Sequence, residues 1–367
     1  MVGSNSTVNE VPSVSVVIPV YNVAKYLRQC LDSLVGQTLR DIEIVCVDDG
    51  STDGSGAILD EYAAKDARVR VIRQENAGAG AARNTGLDAA RGEYLFFCDP
   101  DDWCKKGMLK AMYSRAKSTD ADVVIAGRLF FDGTTGRPNG SRGLPPNIWL
   151  KRGAFAPSEI ADQIFTFSPN VIWDKLFRSG FIRGLGLRYQ CIKSSNDLYF
   201  CHVALAVAKR LSVAFGAWIC HRRQRPGSLQ DTKDSSHACI YEAYEATREK
   251  LSELGLLEAF QLSHLEAVLS SGFYNLRTLN LPENRNANYA ELRKQALDLA
   301  EGLSEEILRR RPVAARRLRQ VREFADAEEL RGRIPPEEVK WWRAGFLPFR
   351  LVEVAKAAKY LVRRMFR

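Results

Sequence analysis

After a polar lead-in, the chain enters Val14–Val20 (VSVVIPV), a nearly continuous apolar run that reads as a buried strand. Leu27, Cys30, Leu31, Leu34 and Val35 then recur at three- and four-residue spacing, the face of an amphipathic helix. The same alternation continues with a strand at Ile42–Val47, a helix marked by Ile58, Leu59, Tyr62 and Ala63, and a strand at Val69–Ile72. An Ala-rich helix near Gly80–Ala90, a strand at Tyr94–Cys98, a helix around Met108–Lys117 and a strand at Val123–Ala126 follow. Strands that alternate with helices need crossover connections. The expected class is therefore α/β, a mostly parallel sheet with helices on both faces.

From Phe131 to Asn147 the text turns to Gly, Pro, Asn and Ser, which predicts a long loop or boundary. Residues 148–230 are mixed and carry Trp149, Trp173, Tyr189 and Trp218. Helical periodicity dominates from Ser236 and predicts helices over Tyr241–Phe260, Leu262–Leu279, Tyr289–Leu303 and Arg316–Leu330. Asn280–Asn288 (NLPENRNAN) is expected to separate two of them.

The chain has 367 residues, 46% of them hydrophobic and 26% charged, which excludes a largely disordered protein and leaves room for two or three domains. No apolar stretch approaches the roughly 20 residues of a membrane span. The first ten residues lack an apolar signal-peptide centre, so a cytoplasmic location is expected. The eight cysteines show no C-x-x-C pair and no zinc spacing, and read as small buried hydrophobes in a reducing compartment. Cys104 and Cys239 stand among polar residues, Cys191 among apolar ones.

Net charge is +9, and residues 337–367 hold eight Lys/Arg against three Glu. Leu351, Val354, Ala358, Leu361 and Met365 form one apolar stripe there, preceded by Trp341, Trp342, Phe346 and Phe349. Two readings fit: an anchor on an anionic membrane surface, or a helix docked on its own domain with a solvated basic face.

In an open parallel sheet, ligands bind beyond the carboxyl ends of the strands. Here those ends read Pro19-Val20-Tyr21-Asn22, Asp48-Asp49-Gly50-Ser51-Thr52-Asp53 and Asp99-Pro100-Asp101-Asp102-Trp103. Carboxylates gathered on one edge repel one another unless a cation sits among them. Hard oxygen ligands would favour Mg2+ or Mn2+. Asp-Gly turns and N-caps account for some of these acids, but capping explains only one of Asp99, Asp101 and Asp102. No P-loop, HExxH or Gly-x-Ser-x-Gly elbow is present, and Gly78-Ala79-Gly80 follows the third strand and lacks a third Gly. P-loop NTPases, hydrolases and dinucleotide-dependent oxidoreductases therefore lack support.

The series VSVVIPVYN (Val14–Asn22), VDDGSTDGS (Val47–Ser55) and ENAGAGAARNTGLDAARGEYLFFCDPDDW (Glu75–Trp103) resembles family 2 glycosyltransferases of the GT-A fold. A looser likeness covers VIWDKLF (Val171–Phe177), SNDLYF (Ser195–Phe200) and RQRPGSL (Arg223–Leu229), similar to acceptor-side motifs of bacterial polysaccharide-type members. The resemblance implies that Pro19 and Tyr21 line a nucleobase pocket, that Asp49 accepts the uracil imide proton, and that Arg83 helps hold the nucleotide. It implies that Asp99 bonds the ribose or the metal's shell, that Asp101 coordinates Mn2+ or Mg2+, and that Asp197 is the catalytic base. The family has a Glu-Asp pair at the last position, and here Asn196 replaces the Glu. Lys175, Arg223 and Arg225 are expected diphosphate or acceptor contacts, or else ordinary surface cations. Trp103 and Trp173 would stack on sugar rings or pack in the core.

The implied organisation is a disordered lead-in over 1–12, a nucleotide-sugar-binding half over 13–130 and an acceptor-side half over 131–235. A helical domain over 236–333 and the basic amphipathic tail over 334–367 complete it. The implied activity is inverting, metal-dependent sugar transfer from a nucleotide-sugar, most simply a uridine one, to a glycan or lipid-linked acceptor. No nucleic-acid partner is expected. Two other classes compete: a sugar-nucleotide nucleotidyltransferase, which wants a Gly-rich loop where Tyr21-Asn22 stand, and a non-catalytic family member that binds a membrane or partner.

Overall fold

The computed structural model describes residues 11–142, 153–168, 170–223 and 234–334. Its first half runs β1 (Val14–Val20), α1 (Ala24–Val35), β2 (Ile42–Asp48), α2 (Ser55–Lys65), β3 (Val69–Arg73), α3 (Ala79–Ala89) and β4 (Tyr94–Phe97). The two-residue strand β5 (Trp103–Cys104), α4 (Met108–Thr119), β6 (Val123–Asp132) and β7 (Pro138–Arg142) follow. Beyond a 3-10 turn at Pro157–Gln163 come β8 (Lys175–Arg178), α5 (Ser179–Gly184), α6 (Asn196–Val207) and β9 (Leu211–Arg223). The rest is helical: α7 (Cys239–Glu253), α8 (Leu257–Thr278), α9 (Pro282–Ala300), α10 (Glu305–Arg309), α11 (Pro312–Glu323) and α12 (Ala327–Arg333).

One sheet carries all the described strands, in the order β3-β2-β1-β4-β8-β6-β9-β5, with β7 beside β6. Strands β3, β2, β1 and β4 are parallel, as their crossover helices require. Strand β8 runs against both β4 and β6, while β9 returns parallel to β6. Both faces of the sheet are covered, which is why β1 and β4 read as continuous apolar runs rather than alternating ones. Val14, Val16, Ile18 and Val20, with Tyr94, Phe96 and Cys98, meet Leu27, Cys30, Leu31 and Leu34 of α1. Val17, Leu95 and Phe97 point the other way, to Leu87 of α3 and Phe200 of α6.

That second core does not stop at the sheet. Phe200, Val203 and Ala204 of α6 belong to the same apolar cluster as Tyr241, Tyr244, Phe260, Val268 and Phe273 of the helical region. No helix among the described residues is long and apolar enough to cross a membrane.

Several sequence expectations change. The loop over 131–147 is, as far as residue 142, a hairpin of β6 and β7. Asp132 Oδ1 accepts from the Thr134 and Thr135 backbone amides at 3.0 and 2.6 Å, so the polar residues make its turn. The helix over Tyr241–Phe260 breaks at Gly255, which takes φ +66°, a backbone state open to glycine. Most of Asn280–Asn288 is helical, because Pro282 occupies the first turn of α9 and Arg285 Nη1 donates to the Leu279 and Asn280 carbonyls at 3.1 and 2.7 Å. Cys104 and Cys239 are buried and Cys191 is exposed, so packing sorted them differently from their sequence neighbours.

Two histidines lie in the shared core. His202 stacks on Phe165 with centroids 4.3 Å apart, and its Nε2 lies 2.6 Å from Asn170 Oδ1. Neither ring nitrogen of His264 meets a donor or acceptor at hydrogen-bonding geometry among the described residues. Burial pushes the His264 imidazole from the usual 6.5 down to about 4, and His202 well below its usual value. A depressed folded-state value means the contribution is intact above the unfolded value and is lost as pH falls toward the folded one. At about pH 5, His264 should then lower stability by on the order of 2 kcal/mol. His264→Leu should therefore unfold near the wild-type temperature at neutral pH and above it at about pH 5. Parallel melting curves at both pH values check this, and equal acid losses in the two proteins would exclude it.

Candidate active site

The strand order reverses direction about β1, so the crevice opens beyond the carboxyl ends of β1 and β4. At the end of β1, Pro19 is buried opposite Val47, whereas Tyr21 is 47% exposed on the rim. Asn22 takes φ +48°, and its Oδ1 accepts from the Thr52 and Asp53 amides at 2.8 and 3.3 Å. The β2 end is tied to itself: Asp48 Oδ1 accepts from the Ser51 amide at 3.0 Å. The Asp49 carboxylate is buried and accepts three hydrogen bonds, from Gln74 Nε2 at 2.7 Å and the Ala77 and Gly78 amides at 2.9 Å. Asp49 thereby fixes the loop that leads into α3.

Helix α3 joins the two halves of the crevice. Arg83 is buried, and its Nη2 donates to Asp99 Oδ1 at 2.8 Å while its Nη1 donates to Asn196 Oδ1 at 2.6 Å. Next to it, Asn84 exchanges two 2.9 Å hydrogen bonds with the Tyr189 backbone. Gly80 allows this approach, since a Cβ there would lie 2.2 Å from the Gln190 carbonyl oxygen. Asp197 stands in the first turn of α6, beside Asn196. Burial pushes its carboxyl up to about 6; Arg83 opposes that shift and Asp99 adds to it. Asp99, Arg83, Asn196 and Asp197 thus form one electrostatic group built from β4, α3 and α6.

The remaining acidic residues divide. Asp99 and Asp101 are half-buried at the rim, but Asp102 is 1% exposed and turned inward. Its Oδ2 lies 2.9 Å from His221 Nδ1, and its Oδ1 accepts from the Arg222 amide at 2.9 Å. Burial pushes the Asp102 carboxyl up to about 7, against the pull of His221. Both oxygens of Asp102 therefore serve the protein, and Asp102 is the one of the three acids that is taken up internally.

Lys175 is also corrected. It is fully buried, and its Nζ donates to Asp174 Oδ1 at 2.7 Å and to the Val171 carbonyl at 2.6 Å, so it does not reach a substrate diphosphate or acceptor. Arg128 Nη1 bonds the other Asp174 oxygen at 2.5 Å. Trp173 takes the core option, buried and stacked on His221 at 4.7 Å. Trp103 stays half-buried, 4.6 Å from the Phe131 ring. The Arg223 guanidinium lies 4.2 Å from the Phe130 ring centre. Arg225 and residues 337–367 lie outside the described residues. Sequence reasoning missed Asn84, Arg222 and His221. The first sits beside Arg83 in the same helix, but the pairing of β5 with β9 that brings the other two to the acidic loop leaves no spacing signal.

The donor set suits a hard divalent cation shared with a substrate. Asp101 is a carboxylate at the rim, and Asp99 has one oxygen that is not bonded to Arg83. No group of three His, Cys, Asp or Glu side chains able to hold a metal occurs among the described residues. Such an ion would take its other ligands from phosphate oxygens and water, as Mg2+ commonly does.

Comparison with known proteins fits this geometry. The Glycosyl transferase family 2 model matches residues 15–170. The uncharacterized glycosyltransferase EpsJ of Bacillus subtilis is 32% identical over 256 residues, 68% of this chain and 72% of EpsJ. The poly(ribitol-phosphate) beta-glucosyltransferase of Bacillus spizizenii is 31% identical over 273 residues, 73% of this chain and 41% of that protein. Among solved structures, residues 1–349 of S. aureus TarS in complex with UDP-GlcNAc align with TM-score 0.50 and 22% identity, covering 78% of this chain and 89% of that one. The fold is of the GT-A type, and the molecule is a glycosyltransferase. The chain belongs to glycosyltransferase family 2.

Gly80→Ala tests the joint between the halves. The added methyl meets backbone, which gives little, so we expect a loss of about 1–3 kcal/mol. Glycosyl transfer should fall further than melting accounts for, because Arg83 moves away from Asn196. Differential scanning fluorimetry and donor turnover on the same preparation check it; unchanged values of both would remove the joint.

Proposed function

We propose that this enzyme moves a single sugar from a nucleoside-diphosphate donor, a uridine one, to a hydroxyl of a glycan or lipid-linked acceptor, with inversion, in the building of a cell-surface polysaccharide. The carrying observation is the linked group of Asp99, Arg83, Asn196 and Asp197, with the Asp197 carboxyl at about 6. The relative named as a poly(ribitol-phosphate) beta-glucosyltransferase supports a surface-polymer acceptor.

In this reading Tyr21 and Pro19 flank the nucleobase. Asp49 holds the loop that frames it and offers its remaining acceptor capacity to the base. Asp101, with the second oxygen of Asp99, would hold Mn2+ or Mg2+; when bound, the ion supplies Lewis acidity toward the leaving diphosphate. Arg83 fixes Asp99 at the ribose side and adds positive charge where the nucleotide lies. Asp197 takes the proton of the acceptor hydroxyl as the new bond forms. A base with a carboxyl near 6 is mostly ionised at neutral pH and still accepts a proton readily. Asn196 gives Arg83 its oxygen without adding a second negative charge beside the base. Trp103, where the acidic loop meets β9, and Arg223 on β9 serve as contacts to the acceptor in this reading, and Arg225 follows Arg223 in sequence.

Release of UDP from labelled UDP-sugars tests the reading. Asp197→Ala should lower kcat by about 10²- to 10⁴-fold in folded protein, the usual range for a general base. Asp101→Ala should abolish activation by Mn2+. In the wild type, kcat should rise with pH through about 6 and level off above it, since only the ionised Asp197 works. A flat profile from about pH 5 to 8, or an Asp197→Ala enzyme at wild-type rate, would remove Asp197 as base.

The aromatic, basic tail supports peripheral attachment to an anionic inner membrane face. Deleting 337–367 should abolish flotation with phosphatidylglycerol vesicles. Unchanged flotation argues for a docked helix.

A further inference from the structure

The acidic loop spans more than its own strand. It leaves β4 after Phe97, and by Trp103 the chain pairs with Cys220 on β9, across the sheet. Three successive residues of the loop are held from the β9 side. The Asp101 carbonyl accepts from Arg222 Nε at 3.1 Å. Asp102 uses both carboxylate oxygens, one toward His221 Nδ1 and one for the Arg222 amide, each at 2.9 Å. The Trp103 ring lies 5.0 Å from the Arg222 guanidinium.

Arg222 reaches a third element as well. Its Nη2 donates to Gln29 Oε1 on α1 at 2.7 Å, and its guanidinium lies 4.8 Å from the Tyr26 ring centre. His221 is fixed in turn by its parallel stack on Trp173, with an interplanar angle of 12°. Both ends of the clamp are therefore anchored, one on α1 and one on the buried strip before β8.

We propose that Asp102, His221 and Arg222 form a positioning clamp that sets where Asp101 stands at the crevice rim. The clamp couples the donor-side acidic loop to the acceptor-side strand β9. This rests on Asp101 facing the donor diphosphate. Until a cation sits among them, a carboxylate aimed at a diphosphate is repelled by it and by Asp99, so the backbone beneath it has to resist displacement. A misplacement of about 1 Å can cost about 10²-fold in rate. None of the three clamp residues needs to touch substrate. Arg222 and Asp102 hold main chain, and His221 orients Asp102. Strand β9 runs on to Arg223, so movement of the acceptor side reaches Asp101 through the same contacts.

The test uses the full chain and two readouts: steady-state kcat and KM for the UDP-sugar, and equilibrium binding of UDP with Mn2+ followed by tryptophan fluorescence. Arg222→Met keeps the stem and removes the hydrogen bonds of the side chain. It should lower kcat by about 10- to 100-fold and weaken UDP–Mn2+ binding, with Tm within about 3 °C of wild type. Arg222→Lys, which restores the charge but not the fork, should recover only part of this loss. Asp102→Asn retains an oxygen for the Arg222 amide and should stay within about tenfold of wild type, while Asp102→Ala should fall at least about 100-fold.

Arg222→Met at wild-type kcat and binding would overturn the clamp. So would an Asp102→Asn enzyme as inactive as Asp102→Ala, which would make the carboxylate a chemical participant. Asp101→Ala separates the two levels. If it turns over donor normally, the reading of the site fails; if it is inactive while the clamp variants behave as wild type, only the clamp fails.

Discussion

The guanidinium of Arg83 is the contact on which the site's geometry depends. It is buried, and it bonds Asp99 at the end of β4 and Asn196 at the start of α6 with separate nitrogens. A buried cation needs this compensation, and each partner gains a fixed position from it. Removing Asp99 would leave a desolvated charge and removing Asn196 an unfilled buried donor, so the crevice is a single electrostatic object rather than two walls that happen to face each other. Asp197 takes its character from the same arrangement: desolvation raises its carboxyl, and Arg83 limits how far.

Packing makes that arrangement possible. Helix α3 approaches the segment leading into α6 so closely that Gly80 has no space for a methyl, and Asn84 bonds the Tyr189 backbone in both directions. Helix α6 is sealed from behind by aromatic residues of the helical region, which continue the core begun on β1 and β4. The sheet, α3 and the later helices therefore share one apolar interior. The charged group lies at its surface, where burial is deep enough to alter acidity without closing the group off from the crevice.

Much of this was legible in the sequence because the signals are local. An apolar run of seven residues such as Val14–Val20 between turn residues has few other interpretations, and the acids that follow strands fall at the crevice by topology. Asp99, Arg83 and Asp197 were singled out by motif, and the fold joins them through Asn196. What was missed depends on pairing between distant segments. Lys175 looks like any cation in sequence, and only the path of β8 reveals that it is buried against Asp174, which also pairs with Arg128. Asp102 has no role that sequence could assign until β9 delivers His221 to it. The hairpin of β6 and β7 was obscured because its turn chemistry dominates a short, polar second strand. The helix break at Gly255 turned on a single residue within an otherwise regular apolar period.

The continuity of the second core has a consequence for how such an enzyme can diversify. Because α6 is backed by α7 and α8, the dryness around Asp197 is set partly by residues remote from any sugar. Substitutions there that loosen the backing would let more water reach the carboxyl and relax its acidity toward the ordinary value. With Asp197 in its proposed role as base, the operating range in pH would then drift during evolution while the residues proposed to handle substrate stayed the same.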